Sequence, residues 1–479
     1  MLQNDKNAFY ITTTLPYVNA DPHIGHAAEF IHADILARYQ RLMGSEVFFN
    51  VGTDEHGLKV FRKAAEEGKS PQAYVDEKVK NFEALKQLLN LSYDNFVRTT
   101  DVAHKIAAQE FWKKCDQAGD IYKKTYKVKY CVGCELEKTD SELVDGRCPL
   151  HPNLELEIIE EVNYFFRFSK YQKQLLDLYE KNPTFIVPET RMREIKALVE
   201  RGLEDFSISR LKSKMSWGVD VPGDSEHVMY VWFDALVNYI DVAGWPSDME
   251  KFGKWWPGLQ IAGKDNLRQQ TAIWQAMLFS AGLPHSKQVI IRGFINAAGG
   301  QKMSKSLGNV ISPYDVVSEY GTEALRFFLA KEVSPFEDTP VTLERIKESY
   351  NTSLANGIGN LTSRILKMAE TNLEKAVEIW LETFPEDFKK ALDEYDIKMA
   401  ADIVWKEIAA LDSLIQEKQP FKLVKTDKEA GVKIIQELCT RLYSVAVMLE
   451  PILPETSLKI KEAIKQNKMP VVSLFPRKE

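Results

Sequence analysis

The sequence predicts an α/β protein: a doubly wound parallel sheet, interrupted by an insertion and followed by an all-α bundle. Three observations predict it. The chain opens strand, loop, helix, strand. A charged, cysteine-bearing stretch breaks the pattern between about residues 122 and 221. From about Thr342 onward the apolar positions recur at helical spacing.

Each element carries its own signal. Residues 8–14 are aromatic and β-branched, and Leu15-Pro16 stops them, so they read as a buried strand. Over residues 25–43, Phe30, Ile31, Ile35, Leu36, Tyr39 and Leu42 recur at helical spacing, and Gly44 supplies the stop. Residues 46–51 form a second strand. In a Rossmann-type sheet the ligand crevice lies beyond the carboxyl ends of the strands, so residues 17–26 and 52–57 are expected there. The sheet is expected to resume near Met229-Tyr230-Val231-Trp232, with a further strand over residues 288–291. Ser312-Pro313 has the N-cap and first-turn residues of a helix start. Leu354, Ile358, Leu361, Ile365 and Leu366 give one apolar stripe, and residues 396–417, 431–448 and 454–464 read as bundle helices. The expected domains are therefore 1–121 (first half of the sheet domain), 122–221 (insertion), 222–345 (second half) and 346–479 (helical).

Composition sets limits. A chain of 479 residues, 44% hydrophobic and 27% charged, is an ordinary globular protein of several domains. No basic n-region precedes an apolar run and no stretch of 18 apolar residues occurs, so neither a signal peptide nor a membrane span is expected. The net charge of −7 argues against charge-driven DNA binding but allows RNA on a local basic face. Of five cysteines, three cluster and two lie alone, which suits a reduced, cytoplasmic protein with one metal site. Cys115 and Cys439 read as plain buried thiols.

Three constellations carry chemistry. In His23-Ile24-Gly25-His26, Gly25 lets a ligand approach the backbone, and the helix that follows presents free N–H groups to an anion. Imidazoles there can stabilise charge on a phosphate oxygen, worth roughly 3 kcal/mol per donor. His32, on the helix itself, reads as structural or solvent-exposed. In Lys302-Met303-Ser304-Lys305-Ser306, preceded by Gly299-Gly300, two ammonium groups can close over a triphosphate as pyrophosphate leaves. Finally, Cys131-x2-Cys134 and Cys148-x2-His151 are two knuckles separated by thirteen residues, a spacing that suits tetrahedral Zn²⁺. All four positions are filled, so this zinc is expected to be structural.

These motifs combine with Leu15-Pro16-Tyr17-Val18-Asn19, Gly52-Thr53-Asp54-Glu55-His56-Gly57, Tyr230-Val231-Trp232-Phe233-Asp234-Ala235 and Gly263-Lys264-Asp265. The set resembles the methionyl-tRNA synthetase family of class I aminoacyl-tRNA synthetases over essentially the whole chain. The resemblance implies ATP-dependent attachment of methionine to initiator and elongator methionine tRNAs through methionyl-adenylate, with Mg²⁺ accompanying ATP. It implies that His23, His26, Lys302 and Lys305 stabilise the phosphates and that Gly25, Gly263, Asp265 and Lys305 contact ATP. Arg210 and Lys264 are candidate charge partners nearby. A thioether needs an aromatic slot with little charge. Tyr17, Trp232 and Tyr239 would form it, with Leu15 and Ala235 as walls and Asp54 for the ammonium. Gln270 stands where the family commonly has a histidine, and it can still hydrogen-bond a tyrosine hydroxyl or water. The helical tail would bind the anticodon through Asn360 and Arg364, which share a helix face, and through Phe421, which replaces the family's usual stacking tryptophan. Nothing resembling the family's appended dimerising module follows the bundle, so a monomer is expected.

Three rival readings have distinct signatures. A cysteine-specific class I enzyme would place zinc in the amino-acid pocket, and the branched-aliphatic enzymes carry a larger insertion. A catalytically silent tRNA-binding paralogue would not need both phosphate motifs. A small nucleotidyltransferase would not need the helical tail.

Overall fold

The computed structural model describes residues 7–134, 136–138, 140–301, 303, 309–379, 383–470 and 472–478. The chain packs into two compact units. One comprises Met1–Pro22, Gly44–Ala84 and Tyr93–Arg292; the other comprises His23–Met43, Leu85–Ser92 and Gly293–Glu479.

The first unit holds twelve strands among its described residues. They are β1 (Ala8–Thr13), β2 (Glu46–Thr53), β3 (Asn95–Arg98), β4 (Ile121–Cys131), β5 (Leu136–Lys138), β6 (Glu157–Phe166), β7 (Ile186–Val187), β8 (Phe206–Ser207), β9 (Ser209–Leu211), β10 (His227–Met229), β11 (Leu259–Gly263) and β12 (Gln288–Arg292). Six of them form one sheet in the order β3-β2-β1-β11-β12-β7. Every pairing in it is parallel, with Ile11 opposite both Phe49 and Leu259, and Ile261 opposite Ile290. A parallel sheet covered on both faces needs nearly continuous apolar strands, and Val289, Ile290 and Ile291 are accordingly all buried. From β1 the order runs to β2 and β3 on one side and to β11 and β12 on the other, with β7 added at the far edge, so the chain switches direction between β1 and β11. The doubly wound sheet is the predicted one, and Leu15, Tyr17, Asp54 and Asp265 all follow carboxyl ends of its strands.

One strand expectation is corrected. The main sheet does not resume at residues 229–232. His227–Met229 pairs antiparallel with β9 in a separate two-stranded sheet, and Val231–Ala235 is helical. A short apolar run fits a strand or a buried helix equally well, and here Trp232 lies on a helix. The main sheet returns at β11. Its edge strand β7 comes from within residues 122–221 and pairs with β12.

The same stretch also contributes the helices Gln172–Lys181 and Glu189–Glu200 and a four-stranded sheet, β5-β4-β6-β8. Its backbone is the long β4–β6 ribbon, in register from Ile121 opposite Phe166 to Tyr130 opposite Glu157.

In the second unit the helix Ile24–Leu42 packs with a helical C-terminal region. β13 (Ile295–Asn296) and β14 (Thr339–Pro340) pair parallel. Helices span Ile397–Lys418, Lys428–Leu449 and Pro454–Gln466, close to the expected ranges; short helices at Glu386–Asp393 and Pro420–Thr426 were not foreseen. Leu354, Ile358, Leu361, Ile365 and Leu366 are all buried, as their spacing required. Arg326 ties the unit together: fully buried, it pairs with Asp34 at 2.8 Å and donates to the carbonyls of Leu89 (3.0 Å) and Ile452 (2.9 Å). Cys115 and Cys439 are buried thiols, and His32 is buried with Nε2 2.8 Å from the Leu329 carbonyl. Among the described residues no helix is long and apolar enough to cross a membrane.

Candidate functional site

In the first unit the loops after β1 and β2 run side by side. Tyr17 and Asp54 form a parallel bridge. The Asp54 N–H donates to the Pro16 carbonyl at 3.0 Å, and the Val18 N–H donates to the Asp54 carbonyl at 3.4 Å. Asp54 is buried. Tyr17 and Trp232 pack against one apolar cluster, formed by Tyr130, Tyr230 and Val231. Lys59 Nζ lies 5.2 Å from the centre of the Tyr17 ring.

Ala235 closes the helix that carries Trp232, and Leu15 packs on the larger core to which Tyr239 belongs. Gln270 lies on a π-helical turn, Gln269–Ile273, and its Nε2 donates to the Tyr239 hydroxyl at 2.7 Å. The hydrogen bond expected of a glutamine at this position is therefore made. Thus Tyr17 is joined to Asp54 and shares one apolar cluster with Trp232, and Tyr239 is joined to Gln270. Gly263 ends β11; Lys264 and Asp265 follow in a single 3₁₀ turn, with Asp265 exposed. Arg210 is buried, donates from Nη1 to Ser207 Oγ (2.7 Å), and lies 4.5 Å from the Tyr230 ring centre. A cavity of about 190 Å³ adjoins this region, lined in part by Leu58, Tyr130, Arg210, Tyr230 and Val231.

Several residues at this site had no role in the sequence reading. His56 Nδ1 lies 2.9 Å from Asp234 Oδ2, both side chains being buried. Glu55, fully buried, is paired bidentately with Arg98. Both belong to the quoted signature strings, but their partners are 178 and 43 residues distant. Nothing local in the sequence marks them.

In the second unit, His23 is the N-cap of the helix Ile24–Leu42. Its Nδ1 accepts from the Gly25 N–H at 3.1 Å, and the His23 N–H donates to His26 Nδ1 at 3.2 Å. Two histidines thus form a reciprocal capping box. With Nδ1 accepting, the proton of each neutral ring sits on Nε2. The rings stack at 3.8 Å between centres. A Cβ at residue 25 would lie 2.8 Å from the His23 ring, so glycine is what lets that ring fold over the helix start. Burial, and then the neighbouring His23, hold His26 well below the usual imidazole pKa. Lys302 and Lys305 lie outside the described residues.

The four knuckle residues come together. Their ligand atoms all lie within 4.8 Å of one another. Cys134 Sγ is 3.4 Å from Cys148 Sγ and 3.2 Å from His151 Nδ1, and Cys131 Sγ is 3.8 Å from the same nitrogen. A tetrahedron with metal–sulfur bonds of about 2.3 Å and a metal–nitrogen bond of about 2.0 Å has edges of roughly 3.5–3.8 Å, so the donor set fits a metal ion. Gly133 is required there, since any Cβ would overlap the His151 ring. Burial pushes the Cys134 thiol up, an effect that a cation held by its thiolate would offset.

In the bundle, Asn360 and Arg364 lie on the helix Asn360–Asn372, with Asn360 exposed. Arg364 is ion-paired with Asp412 on a neighbouring helix. Phe421 is 44% exposed on the short helix Pro420–Thr426, leaving its ring available for stacking.

Comparison with known proteins agrees with this geometry. The family model for "tRNA synthetases class I (M)" matches residues 9–155 and 153–366. A methionine–tRNA ligase of Nostoc sp. is 40% identical, over 97% of this chain and 91% of that protein. One from Thermotoga maritima is 40% identical, over 94% and 74%. Among solved structures, the Mycobacterium tuberculosis methionyl-tRNA synthetase in complex with methionyl-adenylate superposes with a TM-score of 0.90 at 35% identity, covering 98% of this chain and all of that one. The apo form of that enzyme gives 0.83 at 31% identity, covering all of both chains. With a family match over most of its length and relatives this similar from end to end, the chain belongs to the class I tRNA synthetases, in the methionine–tRNA ligase family.

Proposed function

We propose that the chain charges tRNA with methionine in two steps. The methionine carboxylate first attacks the α-phosphate of ATP, giving methionyl-adenylate and releasing pyrophosphate. The terminal ribose hydroxyl of the tRNA then attacks the activated carbonyl, and AMP leaves. The observation that carries this reading is the match, along 98% of the chain, to an enzyme crystallised with methionyl-adenylate.

Asp54 takes the substrate ammonium, and Tyr17, Trp232 and Tyr239 enclose the thioether between Leu15 and Ala235. Gln270 fixes the Tyr239 hydroxyl. His23 and His26 donate from Nε2 to a phosphate oxygen as charge develops, and the lowered pKa of His26 keeps it a neutral donor. Lys302 and Lys305 neutralise the departing pyrophosphate, while Gly25, Gly263 and Asp265 contact ATP, which brings Mg²⁺ with it. Positioning and charge stabilisation suffice, without a covalent enzyme intermediate.

Zinc suits three thiolates and one imidazole best. Cys131, Cys134, Cys148 and His151 would hold it with no open position, so it would supply a structural crosslink. A cytoplasmic location suits thiols that must stay reduced to bind an ion. Asn360, Arg364 and Phe421 read the anticodon of initiator and elongator methionine tRNAs; an Asn and an Arg four residues apart on one helix and one exposed ring support this reading. The domains follow as a sheet domain in two parts (1–121 and 222–345), a zinc-bearing insertion (122–221) and an anticodon-binding bundle (346–479).

The test is exchange of labelled pyrophosphate into ATP with a panel of amino acids. Methionine alone should support it; exchange with another amino acid, or with none, overturns the reading. Lys305→Ala should slow exchange by about 10²–10³ with methionine binding largely intact.

A further inference from the structure

We propose that Glu55, locked by Arg98, is the positioning residue that sets Asp54 for the substrate ammonium. This rests on the reading of Asp54 given above.

Glu55 is fully buried, and four hydrogen bonds hold its carboxylate. Oε1 accepts from Thr53 Oγ1 (2.8 Å) and Arg98 Nε (2.7 Å); Oε2 accepts from Arg98 Nη2 (2.8 Å) and Thr100 Oγ1 (2.6 Å). Its backbone is held as well. The N–H donates to Thr99 Oγ1 at 2.9 Å, and the carbonyl accepts from Trp217 Nε1 at 2.5 Å. Arg98 is itself braced by Asp76 Oδ1, 2.6 Å from Nη2. Burial works against the guanidinium charge, yet the hydrogen bonds to Glu55 and Asp76 hold Arg98 above its usual pKa.

The geometry explains why this pair bears on residue 54. Successive residues of this segment turn their backbone hydrogen bonds to opposite neighbours: Thr53 and Glu55 toward β3, Asp54 toward β1. Asp54 lies on the β1 side, where Pro16 and Val18 grip its backbone. Glu55 lies on the β3 side, where Arg98 and Thr100 grip its carboxylate. The peptide between them is fixed from both flanks, so the backbone from which the Asp54 carboxylate projects has little freedom to turn. A fully satisfied buried network of this kind rigidifies its surroundings.

Two adjacent buried carboxylates repel, and an unpaired one is costly. The bidentate arginine cancels the charge of Glu55, so Glu55 adds little repulsion at the neighbouring Asp54. His56, bonded to Asp234, anchors the next residue to the helix bearing Trp232. The carboxylate and the aromatic slot are thereby held in one frame.

The test compares wild type, Arg98→Met, Glu55→Gln and the double variant in pyrophosphate exchange, varying methionine and ATP separately. Each single variant should raise the KM for methionine roughly 10- to 100-fold, with the KM for ATP within about twofold. The double variant should be no worse than the worse single one, because the two residues act as a unit. Thr100→Val removes one of the four hydrogen bonds and should cost roughly threefold to tenfold in methionine KM; it serves if the charge variants do not fold. An unchanged methionine KM in Thr100→Val, or methionine and ATP KM values rising together in any folded variant, overturns the proposal. Failure of wild type to exchange with methionine would instead overturn the reading on which it rests.

Discussion

Gln270 Nε2 donates to the Tyr239 hydroxyl at 2.7 Å, and both side chains are buried. Tyr239 is held elsewhere too: its carbonyl accepts from the Tyr10 hydroxyl at 3.0 Å, and its ring meets Trp274 edge-on at 6.0 Å. A glutamine can thus fix the ring that closes the candidate thioether slot. Tyr239→Phe keeps the ring and leaves the Gln270 amide without this acceptor. Stranding a buried donor costs about 1–3 kcal/mol. That cost falls on the fold and should lower the melting temperature, while the loosened ring should raise the methionine KM by roughly threefold to tenfold in exchange kinetics and leave the KM for ATP in place.

The knuckle makes a sharper demand at a residue that binds nothing. Gly133→Ala places a methyl group into the His151 ring, although all four ligands remain. Bound metal, measured by mass spectrometry after dialysis, should fall well below one ion per chain. Cys148→Ser should do the same, and a chelator should lower the melting temperature of the wild type but change that of Gly133→Ala much less.

His26 sets a pH dependence of stability. In the unfolded chain an imidazole takes up its proton near pH 6.5. In the folded chain His26 resists protonation until well below that, because it is buried and faces His23. Between those two values the unfolded state binds more protons. The contribution of His26 is therefore complete above about pH 6.5 and is lost as the pH falls below it, by at most about 1.4 kcal/mol per pH unit. Denaturant unfolding from pH 7 to pH 5 should show this slope. His26→Gln, which can still cap His23, should show a shallower one.

In the bundle, Arg364 is ion-paired with Asp412, whose other oxygen accepts from Gln416 Nε2 at 2.5 Å. The guanidinium is thus pre-oriented. Arg364→Ala should raise the KM for tRNA in aminoacylation by roughly 10- to 100-fold and leave pyrophosphate exchange unchanged. Asp412→Ala frees the arginine and should have a smaller effect of the same kind. A fall in exchange with either variant would mean that this face is not a separate recognition surface.

The sequence by itself determined whatever rests on local periodicity or on short spacing. The strand Ala8–Thr13 and the helix Ile24–Leu42 were legible because each repeats its apolar residues at the period of its own backbone. The metal ligands were legible because each Cys-x2-Cys or Cys-x2-His knuckle is a local turn. Lys302 and Lys305 stand out in the sequence alone. Tertiary structure decided the rest. The apolar run around Tyr230 carries no period long enough to separate strand from helix, and only its packing settled it. The pairs Glu55–Arg98, His56–Asp234, Tyr239–Gln270 and Asp34–Arg326 join residues up to 292 positions apart. Each member has an ordinary local context. A buried charge or amide is tolerated only where its partner arrives to meet it, and which partner arrives is fixed by the order of strands and the packing of helices.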